Sequence, residues 1–377
     1  GKALLKHYDV YVMDIFPSQS NDNFKTKFQN VGIKFFPRFF KMTFLREKLY
    51  WKINAFYSFF GKKHVFNHLK NNFQKKQFNK LVKEKNIFLL HSHYYSSDTY
   101  TNNLLKDNNT LKWVLTMHGG YNQKVYQEMD EVSKQTFVEN AINNIKNCDA
   151  MTYVADVNLD FLNDFKVKPK KNKKIRLGLD KNEQNLPPYK KHDDEAFTFC
   201  MVARSDRAKG WVELLEAFLI TYSKFPFIKV ICVAPLEGVV KDLSDKYRGR
   251  NEIIFTGYTD SPLNFIQKSD VCVLPTYFEG ESSPYSIIEY LSCSKPVIAT
   301  RKGEIEDMLS HENEVAGILL SIGDNGKPLI SDLSNAMEKM ITNQQFYKGA
   351  KEVTSKVFKK FTMDNCLNEY MKLYNSL

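Results

Sequence analysis

The sequence predicts an α/β protein made of two doubly wound domains, the second followed by helices. Three observations carry this. The chain has 377 residues, too many for one ordinary core and suited to two domains of ~100–200 residues each. Strand-like and helix-like segments alternate in both halves, the pattern of a parallel sheet covered on both faces. A polar, proline-containing stretch at 181–194 separates the halves, as a domain boundary does. The expected domains are 1–180 and 181–377.

In the first half, short apolar runs at 10–13, 87–90, 113–117 and 150–154 read as strands, with helical periodicity at 73–83 and 131–145. A basic, polar stretch follows at 166–174. The second half repeats the pattern more cleanly. Strands are expected at 197–203, 228–234, 252–256, 271–275 and 296–300, and helices at 211–222, 239–247, 262–268 and 285–292. The last three helices, at 331–341, 345–360 and 364–374, have no strands between them. No close internal repeat and no low-complexity segment is present.

Hydrophobic residues make up 43% and charged residues 26% of the chain, as in ordinary globular proteins. No apolar run reaches the ~18–20 residues of a membrane-spanning helix. The opening residues, Gly1 to Lys6, lack the basic, apolar and cleavage regions of a secretion signal. The six cysteines form no Cys-x-x-Cys pair and no zinc spacing. Cys200, Cys232 and Cys272 sit inside apolar runs, where free thiols pack as small hydrophobes. Reduced thiols and a cytoplasmic setting are the expectation.

The net charge is +11, unevenly spread. Between Lys34 and Lys76 lie eleven Lys/Arg and one acid, Glu47, leaving 43 basic and 42 acidic residues elsewhere. The same segment holds ten Phe with Tyr50, Trp51 and Tyr57. It fits an aromatic excursion packed on the first domain with solvated cations. It also fits a patch for anionic membrane surfaces, peripheral on the inner face of the membrane. Nucleic acid is not an expected partner, because no nucleic-acid motif accompanies the charges.

Ligands of open parallel sheets bind outside the carboxyl ends of the strands. Four loops there carry polar residues: Arg204 to Gly210, Gly257-Tyr258, Thr276 to Pro284, and His118-Gly119-Gly120 in the first half. If the domains face each other, all four line one cleft, a favoured place for a small-molecule site. Arg204 and Lys209 straddle a helix start, and the forked guanidinium, the mobile ammonium and the free backbone N–H groups together suit a diphosphate. On spacing alone, two solvated cations beside a capped helix fit as well. Glu281 lies in a loop and Glu289 eight residues on, in the helix behind the first-turn-like Pro284. Acids near a helix N-terminus for dipole reasons would explain these equally.

The stretch Glu279 to Glu289, followed by Lys295-Pro296-Val297-Ile298-Ala299-Thr300, resembles the signature of retaining GT-B glycosyltransferases of family four, with its Glu-x7-Glu pattern. Val202-Ala203-Arg204 with Lys209-Gly210 is similar to that family's phosphate-binding stretch, 175–180 to the end of its interdomain linker, and 114–119 to its His-Gly turn. The resemblance implies a GT-B fold, two Rossmann-like domains facing across a cleft. It implies transfer of a hexose or N-acetylhexosamine from a nucleotide diphosphate sugar, with UDP favoured, to a glycan or lipid-linked acceptor in cell-surface polysaccharide synthesis. It also implies roles. Arg204 and Lys209 would bind the diphosphate in place of a metal, so that no cofactor and no metal are expected. Glu289 would hold the ribose, and Glu281 the donor sugar with the backbone of Ser283, Pro284, Tyr285 and Ser286. His118 would stand by the reacting carbon, and Gly257 and Tyr258 by the base. The family's first strand and glycine-rich turn have no counterpart before Val10, so the chain reads as a fragment. Alternatives on the same fold are a nucleotide-sugar epimerase, a phosphorylase, and a non-catalytic sugar-nucleotide-binding fragment.

Overall fold

The computed structural model describes residues 11–12, 34–35, 75–76, 78–106, 110–119, 129–180 and 195–377. Most of the basic aromatic segment, Gly120 and the stretch 181–194 lie outside the described residues.

Strands β1 (Tyr11–Val12) and β2 (Lys34–Phe35) form a short parallel pair. Helical residues 78–85 precede β3 (Leu89–His93). Then come α1 (Tyr95–Leu105), β4 (Lys112–Met117), α2 (Glu131–Asn147), β5 (Ala150–Tyr153), α3 (Asp160–Asp164) and β6 (Asn172–Lys174). Strands β3 to β6 lie side by side in chain order, all parallel. The stretch read as basic and polar therefore ends in an edge strand.

The strand expected at 87–90 is displaced to β3, so His91, Ser92 and His93 lie in the strand rather than after it. Their polar groups are satisfied where they stand, so burial costs little. His91 Nε2 lies 2.6 Å from Thr116 Oγ1 and its Nδ1 2.7 Å from the Tyr374 hydroxyl. Trp113 Nε1–H donates to Ser92 Oγ at 2.8 Å. Helix α2 starts where the Asp130 side chain accepts the Ser133 N–H, an N-cap of the usual kind.

The second half runs β7 (Phe197–Val202), α4 (Trp211–Lys224), β8 (Ile228–Val233), α5 (Gly238–Lys246), β9 (Ile253–Phe255), α6 (Leu263–Lys268), β10 (Val271–Leu274), α7 (Tyr285–Ser292) and β11 (Val297–Thr300). Next are α8 (Ile305–Leu309), the antiparallel pair β12 (Ser310–His311) and β13 (Glu314–Val315), and β14 (Gly317–Leu320). Helices α9 (Ile330–Thr342), α10 (Gln344–Phe358) and α11 (Met363–Asn375) close the chain. The sheet is six-stranded and parallel, in the order β14-β11-β10-β7-β8-β9. Central strands bury both faces, so they read as unbroken apolar runs: all of β10 and β11 is buried.

From β7 the chain winds outward through β8 and β9, then returns to β10 and winds the other way. The reversal point is therefore between β7 and β10, where open α/β sheets place their ligands. Helices α9 and α10 join the core of this sheet through Leu333, Met337, Met340, Val353 and Val357. Helix α11 crosses back instead. Leu179 N–H donates to Phe361 O at 2.9 Å and Met363 N–H to Leu179 O at 3.2 Å, joining the two crossing chains. Beyond that point Leu373 and Tyr374 pack with Val114, Ala150 and Ile175 of the first half. Among the described residues, no helix is long and apolar enough to cross a membrane.

Candidate functional site

The loop after β7 turns through a short 3-10 segment, Arg207–Lys209, and enters α4 at Gly210. Two bonds hold it: Asp206 Oδ1 accepts Ala208 N–H at 2.9 Å, and Arg204 O accepts Trp211 Nε1–H at 2.9 Å. Gly210 has φ +88°, and a Cβ there would stand 2.3 Å from Pro275 O. Only glycine allows this left-handed backbone so close to the neighbouring strand end. The loop after β10 docks on it through Tyr277 N–H to Ala208 O at 2.8 Å.

These contacts bring Lys209 under the second loop. Lys209 is 7% exposed and Glu281 6%. Lys209 Nζ lies 2.6 Å from Glu281 Oε2, and Thr276 Oγ1–H donates to the same oxygen at 2.8 Å. Phe278 caps the pair, with Lys209 Nζ 4.9 Å and Arg204 Cζ 5.7 Å from its ring centre. Arg204 itself is exposed. The reversal point thus holds one buried cation, one exposed cation lying against Phe278, and one carboxylate whose charge is already matched.

Helix α7 begins directly behind. Pro284 occupies its N-cap position, one residue earlier than the first-turn place expected, with φ −64° and ψ 120°. No side chain caps this end; Ile287 N–H turns back to Pro284 O at 3.1 Å, and the N–H groups ahead of it are placed for anionic or hydroxyl oxygens. Ser283 Oγ lies 3.5 Å from Met308 Sδ, Ser286 is half-buried, and the exposed Tyr285 sends its hydroxyl 3.4 Å from Gly178 O. Glu289 lies one turn on from Tyr285. Burial pushes its carboxyl up to about 7, and burial with the Glu289 charge pushes the Tyr285 phenol to about 12.

The first half reaches the site through His118. Ser282 Oγ–H donates to His118 O at 2.8 Å, joining the two domains at the cleft. The His118 ring stacks on Tyr94 with centres 5.1 Å apart, and its Nε2 lies 2.8 Å from His93 Nδ1. One nitrogen of that pair carries the proton the other accepts. Burial lowers the His118 pKa, and burial and then His118 lower that of His93 to about 4. Both rings are therefore neutral at pH 7.

Arg204, Lys209, Glu281 and His118 thus come to one place, beside the start of α7. Gly257 and Tyr258 stand apart at the end of β9. Tyr258 is 74% exposed and bonds only its own loop, at Asp260, while Leu236 is the nearest side chain to Gly257. The sequence reading missed His93 as part of the site; it named the loop Thr276 to Pro284 but not the contacts of Thr276 and Phe278 with Lys209 and Glu281, nor the bond from Ser282 to His118. His-x-His at a strand end was a usable signal for His93. Among the described residues no three His, Cys, Asp or Glu side chains converge to hold a metal ion.

With this geometry in hand, the chain was compared with known proteins. Residues 182–354 match the family described as Glycosyl transferases group 1. The uncharacterized glycosyltransferase MJ1059 of Methanocaldococcus jannaschii is 28% identical over 121 residues, 32% of this chain and 29% of that protein. The uncharacterized glycosyltransferase MJ1178 of the same organism is 24% identical over 298 residues, 79% of this chain and 78% of its own. The capsular polysaccharide biosynthesis glycosyltransferase CapM of Staphylococcus aureus is 24% identical over 212 residues, 54% of this chain and 51% of CapM. Among solved structures, Anabaena HepE in complex with UDP superposes with a TM-score of 0.73 at 15% identity, covering 100% of this chain and 95% of HepE. The shared fold is GT-B. Residues 182–354, a little under half of the chain, thus match the glycosyl transferases group 1 family, the chain spans less than a third of the length of MJ1059, and its fold is the GT-B fold of these solved structures.

Proposed function

We propose that this chain is a retaining glycosyltransferase that moves a hexose or N-acetylhexosamine from a UDP-sugar to a glycan or lipid-linked acceptor in cell-surface polysaccharide synthesis. One observation carries the proposal. At the sheet's reversal point, Arg204 and Lys209 stand with Glu281 beside the uncapped start of α7 and across from His118. CapM's role in capsular polysaccharide synthesis supports the acceptor class, and the UDP bound to HepE supports the base.

The chemistry follows from the charges. When the bond between the sugar's anomeric carbon and the diphosphate breaks, negative charge grows on the leaving phosphate. Arg204 and Lys209 neutralise it without a metal, and the N–H groups at the start of α7 add to this. Glu281 and the backbone from Ser283 to Ser286 hold sugar hydroxyls. Glu289 takes the ribose, and Gly257 with Tyr258 borders the base. The acceptor oxygen attacks the face the diphosphate leaves, and its proton passes to a leaving phosphate oxygen. His118, neutral at pH 7, bonds a sugar or acceptor hydroxyl beside the reacting carbon. Positioning and electrostatics then carry the reaction, with no covalent sugar–enzyme intermediate.

The decisive experiment is calorimetric titration with a panel of nucleoside diphosphates, followed by transfer assays with the corresponding sugar nucleotides in EDTA. UDP binding and transfer with retained anomeric configuration are expected. Failure of every nucleoside diphosphate to bind would sink the proposal. The basic segment, Lys34 to Lys76, extends it: the chain is peripheral on the inner face of a membrane, where lipid-linked acceptors lie. Sedimentation with anionic vesicles at low salt, and release at high salt, is expected. Equal binding to neutral vesicles would remove this part.

A further inference from the structure

Glu304 is an acid with no place in the chemistry above, yet it is 9% exposed and fully engaged. It follows β11, in the loop that enters α8. Its Oε1 accepts the Asp156 N–H at 2.6 Å, and its Oε2 the Lys174 ammonium at 2.7 Å. Both partners belong to the first half, at the carboxyl ends of β5 and β6. Asp156 adds its own carboxylate to Lys174 at 3.0 Å. The Glu304 backbone faces the other way: its N–H donates to Ser282 O at 2.8 Å. Gly303 brings the chain this close, since a Cβ on it would stand 2.3 Å from Glu281 O and 2.7 Å from Ser282 O.

These bonds close a ring. It runs from Lys174 and Asp156 through Glu304 to Ser282, then through the Ser282 hydroxyl to His118 O and back into the first half. The cleft is crossed twice, and Ser282 makes one crossing itself while bonding the residue that makes the other. Its neighbour Glu281 holds Lys209. We infer that Glu304 is a positioning residue: its carboxylate grips the first domain while its backbone fixes the Glu281–Ser282 loop, so that approach of the domains sets Glu281 and Lys209 in register with His118. Arg176 to Asp307, at 2.9 Å, is a second ion pair across the same seam but is more exposed. It supports closure without touching the loop. A surface pair of that kind is weak, whereas a buried carboxylate bonded on both oxygens is costly to break.

The inference rests on the proposed transferase reaction for its kinetic readout, and a structural readout keeps the two separable. In Glu304→Ala, amide exchange of the peptide covering 276–286 should accelerate, while exchange in β7 and β10 stays unchanged. UDP affinity should stay within about twofold. Misplacement by a fraction of an ångström should lower kcat by about tenfold or more, with KM for the donor little changed. Glu304→Gln keeps an acceptor for Asp156 N–H and should fall between. The exchanged pair Glu304→Lys with Lys174→Glu should recover more activity than either change alone. Unchanged exchange in 276–286, or kcat within about twofold of the parent in Glu304→Ala, overturns the inference. Loss of UDP binding in a folded Glu304→Ala protein overturns it too, since Glu304 would then act on the nucleotide. If the parent chain binds no nucleotide, the transferase proposal fails and the exchange result alone decides the role of Glu304.

Discussion

The C-terminal sheet has six strands and one continuous core reaching from Leu179 to Phe361, whereas the described N-terminal sheet has four strands and three smaller clusters around it. The site divides the same way. The C-terminal side offers full charges, Arg204 and Lys209 against Glu281, fixed by contacts within one domain. The N-terminal side offers imidazoles held neutral by burial, to which His118 adds in the case of His93. The charge that the proposal aims at a diphosphate sits on the half with the single continuous core, and neutral imidazoles face it across the cleft. The lesson is that donor binding should survive damage to the first half, whereas turnover should need both.

The largest effect should come from the charged side. Arg204→Ala with Lys209→Ala should weaken UDP binding by about a hundredfold or more, because charge-assisted bonds contribute ~1.5–3 kcal/mol each. Removing Lys209 alone leaves Glu281 buried without its cation, which costs stability as well. The double variant is therefore best made with Glu281→Gln also present, and uridine titrated beside UDP. Uridine affinity should hold while UDP affinity falls. Equal loss of both would place the cations away from the phosphates.

Second comes Glu289, whose carboxyl is raised to about 7 by burial. The folded chain therefore binds a proton that the unfolded chain has released between the ordinary glutamate value and pH 7. Stability from this group is lost as pH rises through that window, and the cost is complete above it. Glu289→Gln should remove the cost, by roughly 3 kcal/mol at most. Chemical denaturation at pH 5 and pH 8 should show the variant gaining on the parent at pH 8 alone. It should also weaken uridine binding above pH 7, where the ionised carboxylate is the stronger acceptor for ribose hydroxyls. A gain equal at both pH values would mean that Glu289 carries no shifted proton.

How legible these two halves were in the sequence differs for the same physical reason. In the second half, buried parallel strands are apolar runs, and α7 begins and ends at the expected residues, Tyr285 and Ser292. Strand β14 escaped because its first residue is Gly317, which leaves only Ile318, Leu319 and Leu320 as an apolar run. In the first half, β3 carries two histidines and a serine. Their partners, Tyr374 among them, lie up to 283 residues away, so hydropathy shifted the strand. Arg204 with Lys209, and Glu281 with Glu289, were singled out by local spacing together with the family resemblance, but the Lys209–Glu281 ion pair, 72 residues apart, was not. Nor was Glu304, since its partners Asp156 and Lys174 are 148 and 130 residues distant.

The neutral side gives the third test. His93, at about 4, lies below the ordinary histidine value, so the unfolded chain takes up a proton before the folded one does. Stability should be full above the ordinary value and fall as pH drops from there through 4. His93→Asn should flatten that fall. It should also free the His118 ring, and the pH profile of kcat should shift its acid limb upward while UDP affinity stays constant. A shift in UDP affinity of the same size would erase the division between the halves.

The smallest effect concerns Tyr258, the expected site residue farthest from the others. Its ring is 74% exposed and its hydroxyl donates to Asp260 Oδ1 at 2.8 Å, with the nearby exposed Leu236 beside Gly257. A ring so placed has little protein contact to lose, so Tyr258→Ala should leave the melting temperature unchanged. Stacking on a base is worth ~1–3 kcal/mol when the base is well covered. A ring open to water on most of its surface should reach the lower end, so uridine and UDP should each lose about fivefold. The loss should be the same for both ligands if, as proposed, Arg204 and Lys209 hold the phosphates. Ribose 5-phosphate, which lacks a base, should bind parent and variant alike. If it does not, Tyr258 acts on the sugar-phosphate, and the base lies against another part of the C-terminal sheet.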